Sequence, residues 1–156
     1  MSVRSFPAWT AAVLVLYLVA AFLLVNAWQL HMHPDEELSY RSTNGTLVDT
    51  LEFQMSVRDN QAPVWFVLFW AWRQTVGDAE YTSRVLGVLC VLMAIAVTYR
   101  LGRRWFHSAL VGLLAPLLLL SIDLFFNYAL DIRPYPLVML CAAVSMWAFS
   151  RWISLR

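Results

Sequence analysis

Residues 8–28, AWTAAVLVLYLVAAFLLVNAW, decide the fold class, because they form an uncharged apolar run long enough to cross a bilayer. A transmembrane helix needs about 20 consecutive apolar residues. Trp9 and Trp28 stand at the two ends, where aromatic residues anchor a span at the membrane interfaces. The run is longer than the apolar region of a cleaved signal peptide, so we expect an uncleaved membrane anchor.

Composition extends this expectation to the whole chain. Of 156 residues, 61% are hydrophobic and 13% are charged, whereas soluble domains have about 45–50% and 25%. A soluble fold of this size could not bury so much apolar surface. We therefore expect one all-α membrane domain over residues 1–156, in the cell (plasma) membrane. The net charge of +1 gives no indication of a nucleic-acid partner.

Three further spans are predicted, which makes four in all: residues 81–99, 105–122 and 134–150. Pro116 is expected only to bend its helix, and Pro134 and Pro136 are expected to lie in a first turn. The apolar run 64–72 is too short to cross, because nine helical residues rise only about 14 Å. For it we expect an interfacial helix over about 63–76.

The placement of the basic residues, eleven arginines and no lysine, sets the orientation. With four spans, six arginines share one side, which the positive-inside rule makes the cytoplasm: Arg4, Arg100, Arg103, Arg104, Arg151 and Arg156. If run 64–72 were a span, the later arginines would lie opposite Arg4. Both termini are therefore expected in the cytoplasm, with the loop 29–80 and the short turn 123–133 on the external side.

The external loop opens with His33-Pro34-Asp35-Glu36-Glu37, for which two interpretations stay open. The first is a helix start, with proline at the first helical position and acids favoured by the helix dipole. The second is a carboxylate at the water–lipid boundary that acts as a general base. The alternation of His31, His33 and Asp35 would also suit a divalent metal, although such histidines are more often simple interfacial polar residues.

A second polar cluster, NYALDIRPY at residues 127–135, precedes the last predicted span. Asp131 and Arg133 are expected on the same face as Asp35. An arginine beside a helix start suits a phosphate group. The alternative is an interfacial Arg–Asp pair without a ligand.

Five short motifs follow one another along the chain: His33-Pro34-Asp35-Glu36, Asn60-Gln61-Ala62-Pro63, Gly77-x-x-Glu80-x-x-x-Arg84, Leu101-Gly102-Arg103-Arg104 and Arg133-Pro134-Tyr135. Their order resembles the amino-terminal part of the GT-C membrane glycosyltransferases, in the branch of the protein O-mannosyltransferases and the lipid A aminoarabinose transferases. In that family the second motif is of a His-Pro-Pro type, and here Gln61 and Ala62 stand in place of its His-Pro. The resemblance covers the whole chain but only the front portion of the family, whose members usually carry many more spans.

The resemblance implies a GT-C-like front module that transfers a sugar from a polyprenyl-phosphate donor on the external face. Asp35 would be the catalytic base, with Glu36 beside it. The residues implied in binding the lipid phosphate are Arg133, Arg58, Gln61 and Tyr135, and the other candidates are His33, Glu80, Arg84 and Asp131. No cofactor is assigned beyond the divalent metal considered above.

The expected partners are membrane lipid, the polyprenyl-phosphate sugar, and further spans encoded after Arg156 or supplied by another membrane subunit. The alternative to an enzyme is a non-catalytic GT-C-like subunit that packs within a larger complex. A channel or transporter is the weakest interpretation, because no predicted span carries a charge at mid-membrane.

Overall fold

Eight helices and no strand make up the residues that the computed structural model describes, which are 8–56 and 63–155. In chain order they are α1 (Ala8–Gln29), α2 (Pro34–Ser42), α3 (Leu47–Ser56), α4 (Pro63–Val76), α5 (Glu80–Phe106), α6 (Ala109–Leu120), α7 (Asp123–Leu130) and α8 (Tyr135–Ile153). The predicted all-α class is confirmed for this part of the chain. The helix predicted over 63–76 is also present, as α4.

Three helices are long and apolar enough to span a membrane: Trp9–Gln29 within α1, all of α5 and all of α8. The pair α6 and α7 meets the same criterion only jointly, and its two helices are bent by 75° at the break between them. The described helices thus fit a multi-pass membrane protein with three or four spans. Pro136 lies in the first turn of α8, as predicted, and Pro134 is its N-cap.

The connection that the predicted spans 81–99 and 105–122 imply at residues 100–104, where the Leu101-Gly102-Arg103-Arg104 motif would form a turn, is wrong, because α5 continues through it to Phe106. Leu101 and Gly102 are buried, and arginines are favourable in the last turn of a helix, where the dipole is negative. The chain turns at His107, whose φ of 50° is the left-handed conformation that ends many helices. The predicted second span, 81–99, is therefore longer than expected.

The third span predicted over 105–122 is also wrong in its bounds. The helix in this region, α6, has 12 residues and rises about 18 Å, which is well short of a hydrocarbon core of about 30 Å. Pro116 lies inside α6 without ending it. Residues 123–133, predicted as a short turn, contain the eight-residue helix α7.

Helix α5 is the centre of the bundle and packs against α1, α4, α6, α7 and α8. In the 18-residue apolar stretch that makes α5 long enough to span, half of the residues are buried within the chain. The corresponding fractions are 22% in α1 and 11% in α8. Its side chains Val88, Val91 and Ile95 form one core with α1 and α7. Helix α5 therefore positions the elements that surround its amino-terminal end.

Helices α5 and α6 approach closely through two glycines. A Cβ on Gly112 would lie 3.0 Å from the Tyr99 carbonyl oxygen and 3.1 Å from the Arg103 Cβ, and Gly102 faces the Gly112 Cα. Small residues at such crossings allow membrane helices to pack backbone to backbone.

We expect Gly112→Val to lower the free energy of unfolding by about 1–3 kcal/mol, the usual cost of overpacking a close contact. Thermal unfolding in detergent measures the change. Leu110→Val is the matched control, since Leu110 lies on the same helix and is 64% exposed. An equal shift in the two variants would contradict the role given to the glycine contact.

A buried arginine in the last turn of α4, Arg73, connects this helix to α2 and is 4% exposed. Its Nη1 donates to the Tyr40 carbonyl oxygen and to Thr43 Oγ1, both at 2.8 Å. Its Nη2 lies 2.7 Å from Asp78 Oδ1, and the guanidinium lies 3.9 Å from the centre of the Tyr40 ring. These contacts join α2 to the end of α4.

Candidate functional site

A cavity of about 490 Å³ lies where the end of α1, the start of α2, the start of α5 and the connection from α7 to α8 meet. From the first polar cluster it is lined by His31, His33, Asp35 and Glu36. From the second it is lined by Asn127, Tyr128, Asp131, Arg133 and Tyr135. The structure thus brings the two clusters into one cavity, together with Arg84 of α5.

The helix start predicted at Pro34 is confirmed and places Asp35 at the cavity. His33 is the N-cap of α2, and its backbone N–H donates to Glu36 Oε2 at 2.8 Å in a capping box. The His33 Nδ1 accepts a longer bond of 3.4 Å from the Asp35 backbone N–H. The Asp35 side chain is exposed, so this carboxylate is open to a ligand.

Glu36, the second acid of the motif, is buried and takes part in an ion pair with Arg84. Arg84 Nη1 lies 2.5 Å from Glu36 Oε1 and Nη2 lies 2.9 Å from Oε2, and the two side chains are 2% and 3% exposed. The Ile132 backbone N–H also donates to Oε1, at 2.8 Å. Because these bonds and the capping bond engage both carboxylate oxygens, Glu36 acts in the fold as the connection between α2, α5 and the α7–α8 turn.

Arg84 extends this connection to further backbone groups. Its Nη1 donates to the Leu130 carbonyl oxygen at 2.7 Å, and its Nη2 donates to the His31 carbonyl oxygen at 3.2 Å and to Glu80 Oε1 at 3.0 Å. Glu80 binds Arg84 in this way but does not line the cavity. Two of the predicted candidate residues, Glu80 and Arg84, are therefore part of the network that fixes the cavity wall.

Arg133 lies directly beside the base candidate. Its Nη1 donates to the Asp35 carbonyl oxygen at 3.1 Å, across 98 positions of sequence. Tyr135 and Tyr128 form an aromatic wall next to it, with 4.2 Å between their ring centres. A guanidinium, a carboxylate and two phenol rings therefore share one cavity.

Asp131 is half-buried at the same cavity. Burial raises the pKa of its carboxyl, and the negative charge of Glu36 raises it further, against the opposing charges of Arg84, Arg133 and His33. The neutral form is favoured because burial penalises a charge. The cavity thus contains a carboxyl group that takes up a proton more readily than an exposed aspartate does.

The metal hypothesis gains no support from the geometry. Within residues 8–56 and 63–155, no three side chains of His, Cys, Asp or Glu come together in a group that could hold a metal ion. His31, His33 and Asp35 all line the cavity but do not form such a set. Two other predicted site residues, Arg58 and Gln61, lie outside the described residues.

Asn26 is a cavity residue that the sequence interpretation missed. It lies near the carboxyl-terminal end of α1, where its side-chain amide donates to the Phe22 carbonyl oxygen at 2.8 Å. A single amide near the end of an otherwise apolar span was the signal available. Leu30, Phe126 and Leu130 supply apolar lining that no motif indicated.

The cavity combines charged and aromatic groups with an apolar margin, so it can contact a ligand that has both a polar and an apolar part. In comparisons with known proteins, no protein-family model, curated protein or solved structure matches this chain.

Proposed function

We propose that the protein is a polyprenyl-phosphate-sugar-dependent glycosyltransferase of the GT-C type, or the amino-terminal part of one, acting on the external face of the membrane. The observation that supports this most is the contact of Arg133 with the Asp35 backbone at one cavity. Glycosyl transfer from a lipid phosphate needs a base for the acceptor and a cation for the departing phosphate. The cavity offers one of each.

The reaction assigns a role to each group. The acceptor hydroxyl oxygen attacks the anomeric carbon of the donor while the Asp35 carboxylate removes the hydroxyl proton. The bond between the anomeric carbon and the phosphate oxygen breaks, and the polyprenyl phosphate leaves with the electron pair. Arg133 stabilises the charge that develops on this phosphate, since a guanidinium matches phosphate oxygens in charge and geometry.

The lipid tail of the donor has a path from the cavity to the membrane. Phe126 lines the cavity and lies 5.4 Å from Phe22 of α1, measured between ring centres. Phe22 is 58% exposed, on a helix apolar enough to face lipid. A polyprenyl chain leaving the cavity over these two rings would therefore stay in apolar surroundings.

Binding of the lipid phosphate tests the site directly. We expect Arg133→Gln to weaken polyprenyl-phosphate binding roughly tenfold to a hundredfold, because a hydrogen bond to a charged group contributes about 1.5–3 kcal/mol. Quenching of tryptophan fluorescence during titration of the full chain in detergent measures this affinity. Polyprenol without phosphate is expected to bind the wild type more weakly.

Arg41→Gln is the matched control, because Arg41 is exposed and pairs with Glu37 on the surface of α2. It removes the same charge and should leave the affinity unchanged. If Arg133→Gln binds polyprenyl phosphate as tightly as the wild type does, Arg133 is not the phosphate ligand. The activity itself is measured as sugar transfer from a polyprenyl-phosphate donor in membranes that contain the full chain.

A non-catalytic GT-C-like subunit is the second candidate, and the exposed helix surfaces favour it. In the 18-residue apolar stretches of α8 and α1, 11% and 22% of the residues are buried within the chain. Apolar faces of both helices are therefore left for further helices. This candidate predicts binding of the lipid phosphate without sugar transfer by the chain alone. Transfer that requires Asp35 would exclude it.

A further inference from the structure

A second cavity, of about 770 Å³, lies at the opposite end of the bundle, between the carboxyl-terminal ends of α5 and α8. The proposed glycosyl transfer does not use it. Arg103, Arg104 and Trp105 line it from α5, and Met146, Phe149 and Ile153 line it from α8. Its two sides differ in character.

The α8 side is apolar. Met146, Phe149 and Ile153 follow one another at spacings of three and four, so they lie on one face of the helix. They are 49%, 58% and 53% exposed, and they extend about 10 Å along the helix axis. This face has the length and chemistry to contact part of an acyl chain.

The α5 side is polar and cationic. Arg103 and Arg104 occupy the last turn of α5, and Arg104 Nη2 donates to Oγ of Ser154, the C-cap of α8. Trp105 Nε1 donates to Ser150 Oγ at 2.7 Å, which joins the two helices beside the cavity. Tryptophan at such a position is typical of the depth at which lipid headgroups begin.

No acid opposes these arginines in the sequence that builds this end. Residues 81–122 and 132–156 contain no Asp or Glu, and all ten acids of the chain lie elsewhere, in residues 35–80 or at Asp123 and Asp131. Arg103 and Arg104 therefore add to the charge of Arg100 and Arg151. An uncompensated cationic cluster at a membrane surface attracts anionic lipid.

We propose that this cavity binds an anionic phospholipid of the surrounding leaflet. The lipid phosphate lies against Arg103 and Arg104, and one acyl chain lies along Met146 and Phe149. The cationic side of the cavity lies next to its apolar side, as the phosphate of a phospholipid lies next to its acyl chains. Since it is remote from Asp35 and Arg133, the assignment stands independently of the proposed glycosyl transfer.

Native mass spectrometry of the full chain in a neutral detergent tests the proposal, with phosphatidylglycerol, phosphatidylcholine and inorganic phosphate as separate probes. We expect phosphatidylglycerol to remain bound at lower concentration than phosphatidylcholine does, and inorganic phosphate not to displace it. Arg103→Gln should weaken phosphatidylglycerol binding about fivefold, which corresponds to about 1 kcal/mol for one basic residue near an anionic lipid. Phe149→Ala should weaken binding of both phospholipids through loss of the acyl-chain contact.

Arg41→Gln is the control for net charge, because it removes one exposed arginine from α2. It should bind phosphatidylglycerol as the wild type does. Equal loss in Arg41→Gln and Arg103→Gln would overturn the proposal, and so would equal affinity for the two phospholipids or displacement by inorganic phosphate. Circular dichroism checks folding; if Arg103→Gln is unfolded, unchanged phospholipid binding by folded Phe149→Ala would itself overturn the assignment.

Discussion

Replacing Asp35 by Asn is expected to reduce sugar transfer by roughly 10²- to 10⁴-fold, the contribution that a general base makes to catalysis. An amide has the shape of the carboxylate but cannot take up the acceptor proton. The fold should be retained, because the Asp35 contacts to His33 and Arg133 use its backbone N–H and carbonyl oxygen. Expression and membrane insertion are therefore expected to match the wild type.

The measurement is transfer from a labelled polyprenyl-phosphate sugar in membranes that contain equal amounts of each variant. Glu37→Gln is the matched control, since Glu37 is an exposed acid on the same helix turn and pairs on the surface with Arg41. It should transfer at the wild-type rate. Undiminished transfer by Asp35→Asn would remove Asp35 from the catalytic role.

Glu36→Ala is expected to have the largest effect on stability, a loss of about 3–5 kcal/mol in the free energy of unfolding. This is the usual cost of removing one partner from a buried ion pair, because the other charge stays buried, and the acid that Arg84 would keep, Glu80, is 37% exposed. Arg84 is 2% exposed and would lose both of its bonds to Glu36. The Ile132 and His33 backbone N–H groups would lose an acceptor as well.

Thermal unfolding in detergent measures this loss. Glu37→Ala, at an adjacent acid whose side chain is 51% exposed, should cost less than about 1 kcal/mol, as exposed pairs do. The double variant Glu36→Met with Arg84→Met should regain much of the stability, since it removes both buried charges. Equal midpoints for Glu36→Ala and Glu37→Ala would contradict the role of the buried pair.

The three consecutive acids at the start of α2 have different surroundings. Asp35 is exposed at the cavity, Glu36 is buried in an ion pair, and Glu37 lies on the surface. In the sequence, Asp35 and Glu36 are consecutive residues of one motif. Only the fold shows that the second acid is committed to structure.

Local signals predicted the helix starts well. Proline followed by acids marked the start of α2 at Pro34, and Pro63 marked the start of α4. Both depend on the rule that proline fits the first helical turn. The long apolar runs likewise indicated α1, α5 and α8, because a span is defined by its own composition.

The end of α5 could not be predicted in the same way. The chain turns at His107 in a left-handed conformation, for which glycine is the usual signal, and Gly102 lies five residues earlier inside the helix. That glycine instead serves the close approach of α6. Glycine at position 102 therefore marks a contact between helices, although a turn was expected there.

The sequence indicated each of the two polar clusters of the candidate site, but it did not indicate that they line one cavity. The bond from Arg84 to Glu36 joins residues 48 positions apart, and nothing in the local pattern of either residue identifies the other as its partner. The arginine counts predicted both clusters on one side of the membrane. Contact between them depends on how α5 packs against α1 and α7.

The connection through Glu36 also has a consequence for the synthesis of the protein. Glu36 leaves the ribosome 48 residues before Arg84 and 96 residues before Ile132, an interval of roughly 5–20 s for the later partner at ordinary elongation rates. Until these partners have been made, the carboxylate can accept from the His33 backbone N–H within α2 and otherwise needs water, which the external position proposed for α2 supplies. The cavity wall therefore closes only after helices α1 to α7 have been made, so the site is assembled after most of its surroundings.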